Sequence, residues 1–379
     1  MKRVMLGIAI SVLLVACSAK DASETQGGME KYVAGDPAAG KVVADRECKG
    51  CHGMDGKSTA PAIPHLAAQH ERYLFASLKE YNEGKRAHAA LKDMTARMTD
   101  VELRNVAAYY AGLPAIVSPP AKEAKLMSPY ERGKTLAKTC ETCHGEAGNS
   151  TTAGTPSLAG QQARYLVAAI HEYPSGDRST SAMKSILRNA SKLELESIAL
   201  YFASQTPAQR PAPSFGDPAA GEPLTAMCGG CHGSHGVSSD SSTPSLAGQD
   251  GRYLVAATKA YGKSRRHEIM QRQVANLSDR DIDNIAAFYV VQKSKPSEKG
   301  ERLVQDLAEK CNRCHAAAVE NPAMALPTIS GQDKEYLIMA LRAYRDDRRE
   351  SSTMHKMSLP FSDAVIESIA ALYASQPWK

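Results

Sequence analysis

Hydrophobic stretches long enough to cross a membrane are almost missing from this 379-residue chain. The one candidate is at the start, where Lys2 and Arg3 precede an apolar run over residues 4–15. That run is too short for a spanning helix and has the form of a secretory signal. Strand-like alternation is absent too, and the formal net charge of +5 includes no basic tract interleaved with aromatics. These absences disfavour a membrane-embedded protein, a β-protein and nucleic-acid binding.

The end of the apolar run resembles a bacterial lipobox, because residues 14–17 read Leu-Val-Ala-Cys and no Ala-x-Ala cleavage site fits as well nearby. We expect residues 1–16 to be a signal peptide and residues 17–34 a flexible tether. A lipid on Cys17 would then anchor the chain at the periplasmic face, with Ser18 favouring the outer membrane. The alternative is an ordinary signal peptide with an incidental cysteine.

The other eight of the nine cysteines form four Cys-x-x-Cys-His motifs, with none left over. The motif residues are Cys48, Cys51 and His52; Cys140, Cys143 and His144; Cys228, Cys231 and His232; and Cys311, Cys314 and His315. Two thiols at this spacing can add to the two vinyl groups of one porphyrin, and the adjacent His then binds the iron as proximal ligand. The sequence therefore predicts four covalently bound haems c.

Three other uses of paired cysteines explain the motifs less well. A structural zinc site needs four ligands, and no second pair lies near any of the motifs. A thioredoxin-like pair would need a strand–helix context, whereas Gly-rich segments flank these pairs. Disulfides would leave the four adjacent histidines unexplained.

A fourfold internal repeat supports the same interpretation. Each motif His is followed by a Pro at a distance of 12 residues, then by two Tyr and an Arg at fixed intervals. The prolines are Pro64, Pro156, Pro244 and Pro327. We expect four domains, numbered 1 to 4, at residues 35–114, 128–207, 214–293 and 297–379. The hexapeptide at 35–40 recurs at 216–221, which indicates that a two-domain unit was doubled.

The repeats predict helices. Each ends in a segment with apolar residues at i, i+3, i+4 and i+7, such as 103–110, and further helices are predicted at each Tyr-Leu segment and before each Cys pair. Glu102 and Glu194 complete capping-box patterns, whereas Asp281 only approaches one. The N-cap positions of the last helices are held by Thr99, Ser191, Ser278 and Ser362. The expected fold class is all-α.

Together these motifs resemble class I cytochrome c, most closely the cytochrome c4 type, over residues 35–379. The shared order is Cys-x-x-Cys-His, Pro-x-Leu-Ala-Gly-Gln, Tyr-Leu, a Met and a Ser-capped helix. The resemblance implies four tandem class I cytochrome c domains, each wrapped around one haem, with His/Met ligation of the iron. The chain departs from the family in its four domains and its lipid anchor.

The resemblance places the distal iron ligand in the loop before each last helix. Three methionines share this register: Met183, Met270 and Met354. Domain 1 has Leu91 at the equivalent position, so Met94 is the nearest replacement, with Met98 and His88 as alternatives. We expect the loop to shift by nearly one helical turn to bring Met94 to the iron.

Other residues near these positions stay open in their roles. His267 and His355, beside two of the methionines, are weaker ligand candidates. One arginine per domain could pair with haem propionates or lie in solvent: Arg86, Arg178, Arg266 and Arg349.

A filled sixth iron position leaves no site for a substrate, so we expect an electron carrier rather than an enzyme. The expected function is transfer of single electrons between redox proteins, such as a terminal oxidase, a dehydrogenase or other cytochromes. Two alternatives remain. A domain with an open sixth position, domain 1 above all, could reduce a small ligand such as peroxide or nitric oxide. The chain could also be a fixed subunit of an oxidoreductase complex.

Overall fold

The protein is described by a computed structural model that covers residues 32–58, 60–116, 127–175, 178, 181–300, 303–316 and 325–378. Within these ranges the chain forms eighteen α-helices and no β-strand, so the all-α prediction is confirmed. None of the described helices is long and apolar enough to cross a membrane. The predicted signal peptide, the lipid site Cys17 and most of the tether lie outside the described residues.

The same succession of helices recurs in each domain. Domain 1 contains α1 Pro37–Val43, α2 Lys49–His52, α3 Glu71–Asn82, α4 Ala89–Thr95 and α5 Asp100–Ala111. Domain 2 contains α6 Pro129–His144, α7 Ala163–Ser175, α8 Ser181–Leu187 and α9 Lys192–Ala203. Domain 3 contains α10 Pro218–Gly221, α11 Gly229–His232, α12 Gly251–Tyr261, α13 Glu268–Val274 and α14 Asp279–Val290. Domain 4 contains α15 Leu303–His315, α16 Lys334–Arg345, α17 Ser352–Ser358 and α18 Asp363–Ala374.

The last helix of each domain forms the centre of its core, as the apolar pattern predicts. Leu103, Val106, Ala107 and Tyr110 are all buried in domain 1, and the corresponding residues are buried in the other domains. All four predicted N-caps are present. The expectation for Asp281 was wrong, because its carboxylate accepts a hydrogen bond from the Ser278 backbone N–H at 2.9 Å and completes the capping box.

The first and last helices of domains 1 to 3 cross in backbone contact. A Cβ atom added to Gly133 would lie 2.0 Å from the Ser197 carbonyl oxygen, and Gly40 and Gly221 are equally tight against their last helices. Only glycine permits this approach. Between this crossing glycine and the first Cys, domain 1 has one more residue than domain 2. The π-helical turn Ala44–Cys48 accommodates the additional residue.

The segment that carries the methionines is a short helix in every domain, not the loop that the sequence predicts. His88, His267 and Ser351 are N-caps of α4, α13 and α17, and each side chain accepts the backbone N–H three residues on. A seven-residue helix is too short to show a hydrophobic period, and His is not a usual N-cap residue. These are the reasons why the sequence pattern did not reveal it.

The domains pair as 1 with 4 and 2 with 3. Between domains 1 and 4, the Ala62 N–H donates to the Asp333 carboxylate at 2.9 Å. Between domains 2 and 3, the Gly154 N–H donates to the Asp250 carboxylate at 2.8 Å. Domain 4 also contacts domain 2, where the Ala364 N–H donates to the buried Glu196 carboxylate at 2.8 Å. The domains therefore contact one another in the order 1–4–2–3.

The domain pairs in the structure do not coincide with the two-domain units that the sequence indicates. If a two-domain unit was doubled, domains 1 and 3 descend from its first half and domains 2 and 4 from its second half. Each pair in the structure still joins one domain of each type, so the same kind of interface forms twice, once between the adjacent domains 2 and 3 and once between domains 1 and 4 at opposite ends of the chain.

Candidate haem-binding sites

Each attachment motif forms the end of a helix. Three of the motifs are followed by a glycine with positive φ, 66° at Gly53, 78° at Gly145 and 81° at Gly233, which ends the helix directly after the His. The helical turn places both sulfurs of a motif on one short stretch of chain. In every domain the first cysteine of the motif is the more buried of the two and the second is exposed. This holds for the pairs 48/51, 140/143, 228/231 and 311/314, and it is the pattern expected at the edge of a cleft.

The thiols do not have the properties of a redox pair or a zinc site. Burial raises the pKa of the first cysteine in all four motifs, to about 12 in Cys48. A redox-active thiol is instead one whose pKa is lowered. Nowhere in the described chain do three or more His, Cys, Asp or Glu side chains gather as a metal-ion site. The zinc and thioredoxin-like alternatives therefore lack support.

Each of the four motif histidines makes the same kind of hydrogen bond. In each domain the His Nδ1 lies 2.8 to 3.0 Å from the carbonyl oxygen of the Pro twelve residues on, in the pairs His52–Pro64, His144–Pro156, His232–Pro244 and His315–Pro327. A carbonyl only accepts, so Nδ1 carries the proton and donates. Burial lowers the pKa of each of these histidines, which keeps the ring neutral. Nε2 is left with a lone pair for iron.

The predicted distal residues lie on the short third helices. Met270 and Met354 occupy the same position of α13 and α17, where their N–H groups are bound by the N-cap side chains at 3.3 Å. Met183 lies on α8 and is half-buried. Leu91 holds the equivalent position in α4, with its N–H 3.2 Å from His88 Nδ1.

In domain 1 two of the three candidate ligands, Met94 and His88, line one cavity, and Met98 does not. Leu91 and Met94 lie three residues apart on α4, hence on one face, and both line the same cavity. The segment is a helix and not the expected loop, and this helix brings both side chains to one wall of the cavity. Met98 is instead buried in the core of the domain, whereas His88 caps α4 through Nδ1 and also lines the cavity. Met94 stays the predicted ligand.

A cavity of about 1280 Å³ lies between domains 1 and 4. It exceeds the about 300–1,000 Å³ of ordinary ligand pockets, and it is lined by attachment motifs of both domains. Its lining includes His52, Met94, His315 and Met354. The size and the lining fit two porphyrins with their proximal and distal residues.

Buried arginines add to this fit. Arg349 is 7% exposed, lines the cavity, and its Nε has no hydrogen-bond partner among the described residues. It reaches across to domain 1, donating to the Tyr73 hydroxyl at 3.0 Å, and Arg86 is equally buried. Arg86 is paired with Glu80, whereas the unpartnered Nε of Arg349 suits a propionate carboxylate. These residues would hold the propionates, and the porphyrin iron would supply the electron-accepting centre.

The same cluster occurs between domains 2 and 3, with one correction. Arg178 is buried there, but its counterpart is Arg265, whose side chain donates to the Tyr253 hydroxyl at 3.4 Å. Arg266 is exposed. Domain 3 has one residue fewer between Tyr261 and its N-cap His267 than domains 1 and 4 have, so counting from the tyrosine selects the wrong arginine.

Two family models match parts of this chain. The family model "Cytochrome c" matches residues 37–113 and 130–194, and "Cytochrome C oxidase, cbb3-type, subunit III" matches residues 217–288.

Three relatives cover roughly half of this chain each. Cytochrome c4 of Pseudomonas aeruginosa is 34% identical over 181 residues, which are 45% of this chain and 89% of that protein. Cytochrome c4 of Azotobacter vinelandii is 33% identical over 185 residues, 44% of this chain and 87% of that protein. "Thiosulfate dehydrogenase electron acceptor" of Stutzerimonas stutzeri is 31% identical over 216 residues, 53% of this chain and 93% of that protein. With these relatives and the His–Pro geometry of its attachment motifs, the chain belongs to the cytochrome c4-type class I c-type cytochromes, electron-transfer proteins that bind haem c.

Proposed function

We propose that this chain is a tetrahaem c-type cytochrome that carries single electrons between redox partners in a respiratory chain. The observation that carries the number four is the hydrogen bond from the motif His to the Pro carbonyl, which recurs in all four domains at 2.8 to 3.0 Å. Each domain thus holds a neutral imidazole beside two thiols in the same arrangement. The proposed ligands are this His and a methionine on the short third helix.

The order of domain contacts gives a proposed order of electron transfer. Haems 1 and 4 would exchange electrons across the shared cavity, and haems 2 and 3 across the second interface. The contact between domains 4 and 2, through Glu196 and Ala364, would join the pairs. Electrons would then pass in the order 1–4–2–3 or its reverse, not in the order of the sequence.

The partners and the location are part of the proposal. A relative named "Thiosulfate dehydrogenase electron acceptor" supports a dehydrogenase as the donor. A terminal oxidase or another cytochrome would be the acceptor, and the alternative role is that of a fixed subunit in an oxidoreductase complex. We place it at the periplasmic face, held by a lipid on Cys17, with the outer membrane favoured.

Haem counting tests the main claim. Pyridine haemochrome analysis of the purified protein should give four haems per polypeptide, and acid–acetone extraction should leave them on the chain. Replacing Cys140 and Cys143 with Ala should give three. A wild-type count clearly below four would overturn the proposal.

The anchor has its own test. Labelled palmitate should be incorporated into the wild-type protein and not into the Cys17→Ala variant, which should be released or remain unprocessed. An unlabelled, freely released wild-type protein would contradict the lipid anchor while leaving the haem count unaffected.

A further inference from the structure

Four buried glutamines, one per domain, bridge the two domain pairs. They are the last residues of the repeated motif that follows each Pro: Gln69, Gln161, Gln249 and Gln332. Each side chain binds both the N–H and the carbonyl of one residue in the paired domain. Gln161, for example, accepts from the Ser245 N–H at 2.8 Å and donates to the Ser245 carbonyl at 2.8 Å.

The arrangement is reciprocal in both pairs. Gln249 binds Ser157 at 2.7 and 2.9 Å, so domains 2 and 3 each give one glutamine and receive one. Between domains 1 and 4, Gln332 binds His65 at 2.7 and 3.0 Å. The fourth glutamine, Gln69, binds Thr328 at 2.9 Å through both of its groups.

The peptide reached by each glutamine is the one that holds the proximal histidine of the other domain. Ser245 follows Pro244, so the Ser245 N–H and the Pro244 C=O belong to a single peptide group. That C=O accepts the His232 Nδ1 proton at 2.8 Å. A continuous hydrogen-bonded path therefore runs from Gln161 in domain 2, through one peptide of domain 3, to the imidazole His232.

Hydrogen bonds in such a path polarise one another. A peptide whose N–H is donated to an acceptor becomes a better acceptor at its own C=O, and at low dielectric this effect is strengthened. A stronger acceptor at Nδ1–H makes the imidazole a more basic ligand and fixes its orientation. A more basic ligand stabilises ferric iron and so lowers the reduction potential of that haem.

We propose that each of these glutamines is a positioning residue for the proximal histidine in the paired domain, and that it adjusts the reduction potential of the partner's haem. The inference rests on the proposed function, since it requires a haem in both domains of a pair. Because the same segment of a domain holds its own histidine and supplies its glutamine, a change at one haem site reaches the other.

Adjacent glutamines in domain 2 allow a matched experiment. Gln161→Met removes both hydrogen bonds to Ser245 with similar side-chain volume, and also the bond that Gln161 Oε1 accepts from the Gln162 N–H at 2.9 Å. The control is Gln162→Met, because Gln162 also crosses to domain 3, donating to the Ser238 carbonyl at 2.8 Å, but does not bind the Pro244–Ser245 peptide. Gln161→Glu retains an acceptor for the Ser245 N–H and is the second variant.

Three measurements are made on the full haem-loaded chain. Gln161→Met should accelerate hydrogen exchange of the Ser245 amide, shift the His232 Nδ1–H resonance of the reduced protein upfield, and raise one of the four potentials. Gln161→Glu should move that resonance and that potential in the opposite direction, whereas a merely structural role would move both variants alike. Gln162→Met should change neither.

Two outcomes would overturn the inference. One is faster exchange at Ser245 with an unmoved His232 resonance and four unmoved potentials. The other is a shift of the same sign in the Met and Glu variants. Haem content is counted in every sample, so a wild-type count below four would mark failure of the proposed function instead.

Discussion

A single leucine distinguishes domain 1 from the other three domains. Leu91 stands on α4 where Met270 and Met354 stand on their helices, and Met94 lies three residues on along the same face. A thioether ligand one turn further along α4 would give a weaker bond to iron, because Met94 is out of register with the methionines of the other domains. Domain 1 is therefore where an exogenous ligand would enter first.

Replacing Met94 tests this assignment. Met94→Ala should open one haem to carbon monoxide in the reduced protein and shift its potential, and adding Leu91→Met should close that haem again. Met98→Ala is the control, since truncating a buried core Met costs about 2–5 kcal/mol of stability but should not open the haem. If Met94→Ala leaves spectrum, potential and ligand affinity unchanged, Met94 only packs in the core, and Met98 and His88 must be tested as ligands.

The other three methionines make a parallel prediction. Each of the single changes Met183→Ala, Met270→Ala and Met354→Ala should remove the contribution of one haem to the weak near-infrared band of Met-ligated ferric haem. Thioether ligation gives rise to that band. The absorption of the oxidised protein measures it. Three single variants with an unchanged band and unchanged potentials would show that these residues do not bind iron.

At the scale of the helix, the crossings at glycine decide how closely the first helix approaches the last. Gly133→Ala would bring a Cβ to 2.0 Å from the Ser197 carbonyl oxygen, so the helices must separate. We expect a loss of about 1–3 kcal/mol in the free energy of unfolding, measured by urea denaturation.

The matched control is Gly50→Ala, because no atom lies within 4 Å of a Cβ at that position. It should be neutral or slightly stabilising, since alanine favours a helix. Equal losses in both variants would mean that helix propensity, and not the crossing, sets the effect.

At the scale of the whole molecule, an acidic group links the two pairs. Asp363 of domain 4 is bound by Lys192 of domain 2 at 2.8 Å and by Arg345 at 2.8 Å. Burial raises the pKa of this carboxyl, but the hydrogen bonds from Lys192 and Arg345 outweigh it and lower the pKa to about 2. An unperturbed Asp has a pKa of about 3.9.

The sign of the pH dependence follows from that lowered pKa. The stabilisation by the Asp363 carboxylate is fully present above pH ~4 and is lost as the pH falls towards 2. We expect domain 4 to loosen from domain 2 in this range, seen as an increased radius of gyration in X-ray scattering. Asp363→Asn should already be loosened at pH 7 and should respond less between pH 4 and 2. A variant that follows the wild-type curve would assign the transition to other carboxyls.

The sequence by itself determined the chemistry of this protein. The attachment motif is five residues long and the amphipathic period repeats every turn, so both are local and can be read without knowing the fold. The four Cys-x-x-Cys-His motifs, the last helices and their N-caps all followed from such short patterns. The short third helices did not, because seven residues capped by His88 or His267 leave no periodic signal.

Only the tertiary structure decided how the copies are arranged. Four similar domains have similar faces, so nothing local in the sequence says that domain 1 pairs with domain 4 and domain 2 with domain 3. The pairing depends on contacts between residues far apart in the chain, such as the 2.9 Å bonds between Gln69 and Thr328. The tertiary structure likewise shows that Arg265, and not Arg266, belongs to the interface between domains 2 and 3. Repetition makes each domain predictable from its sequence and, for the same physical reason, leaves the choice of neighbour to the folded molecule.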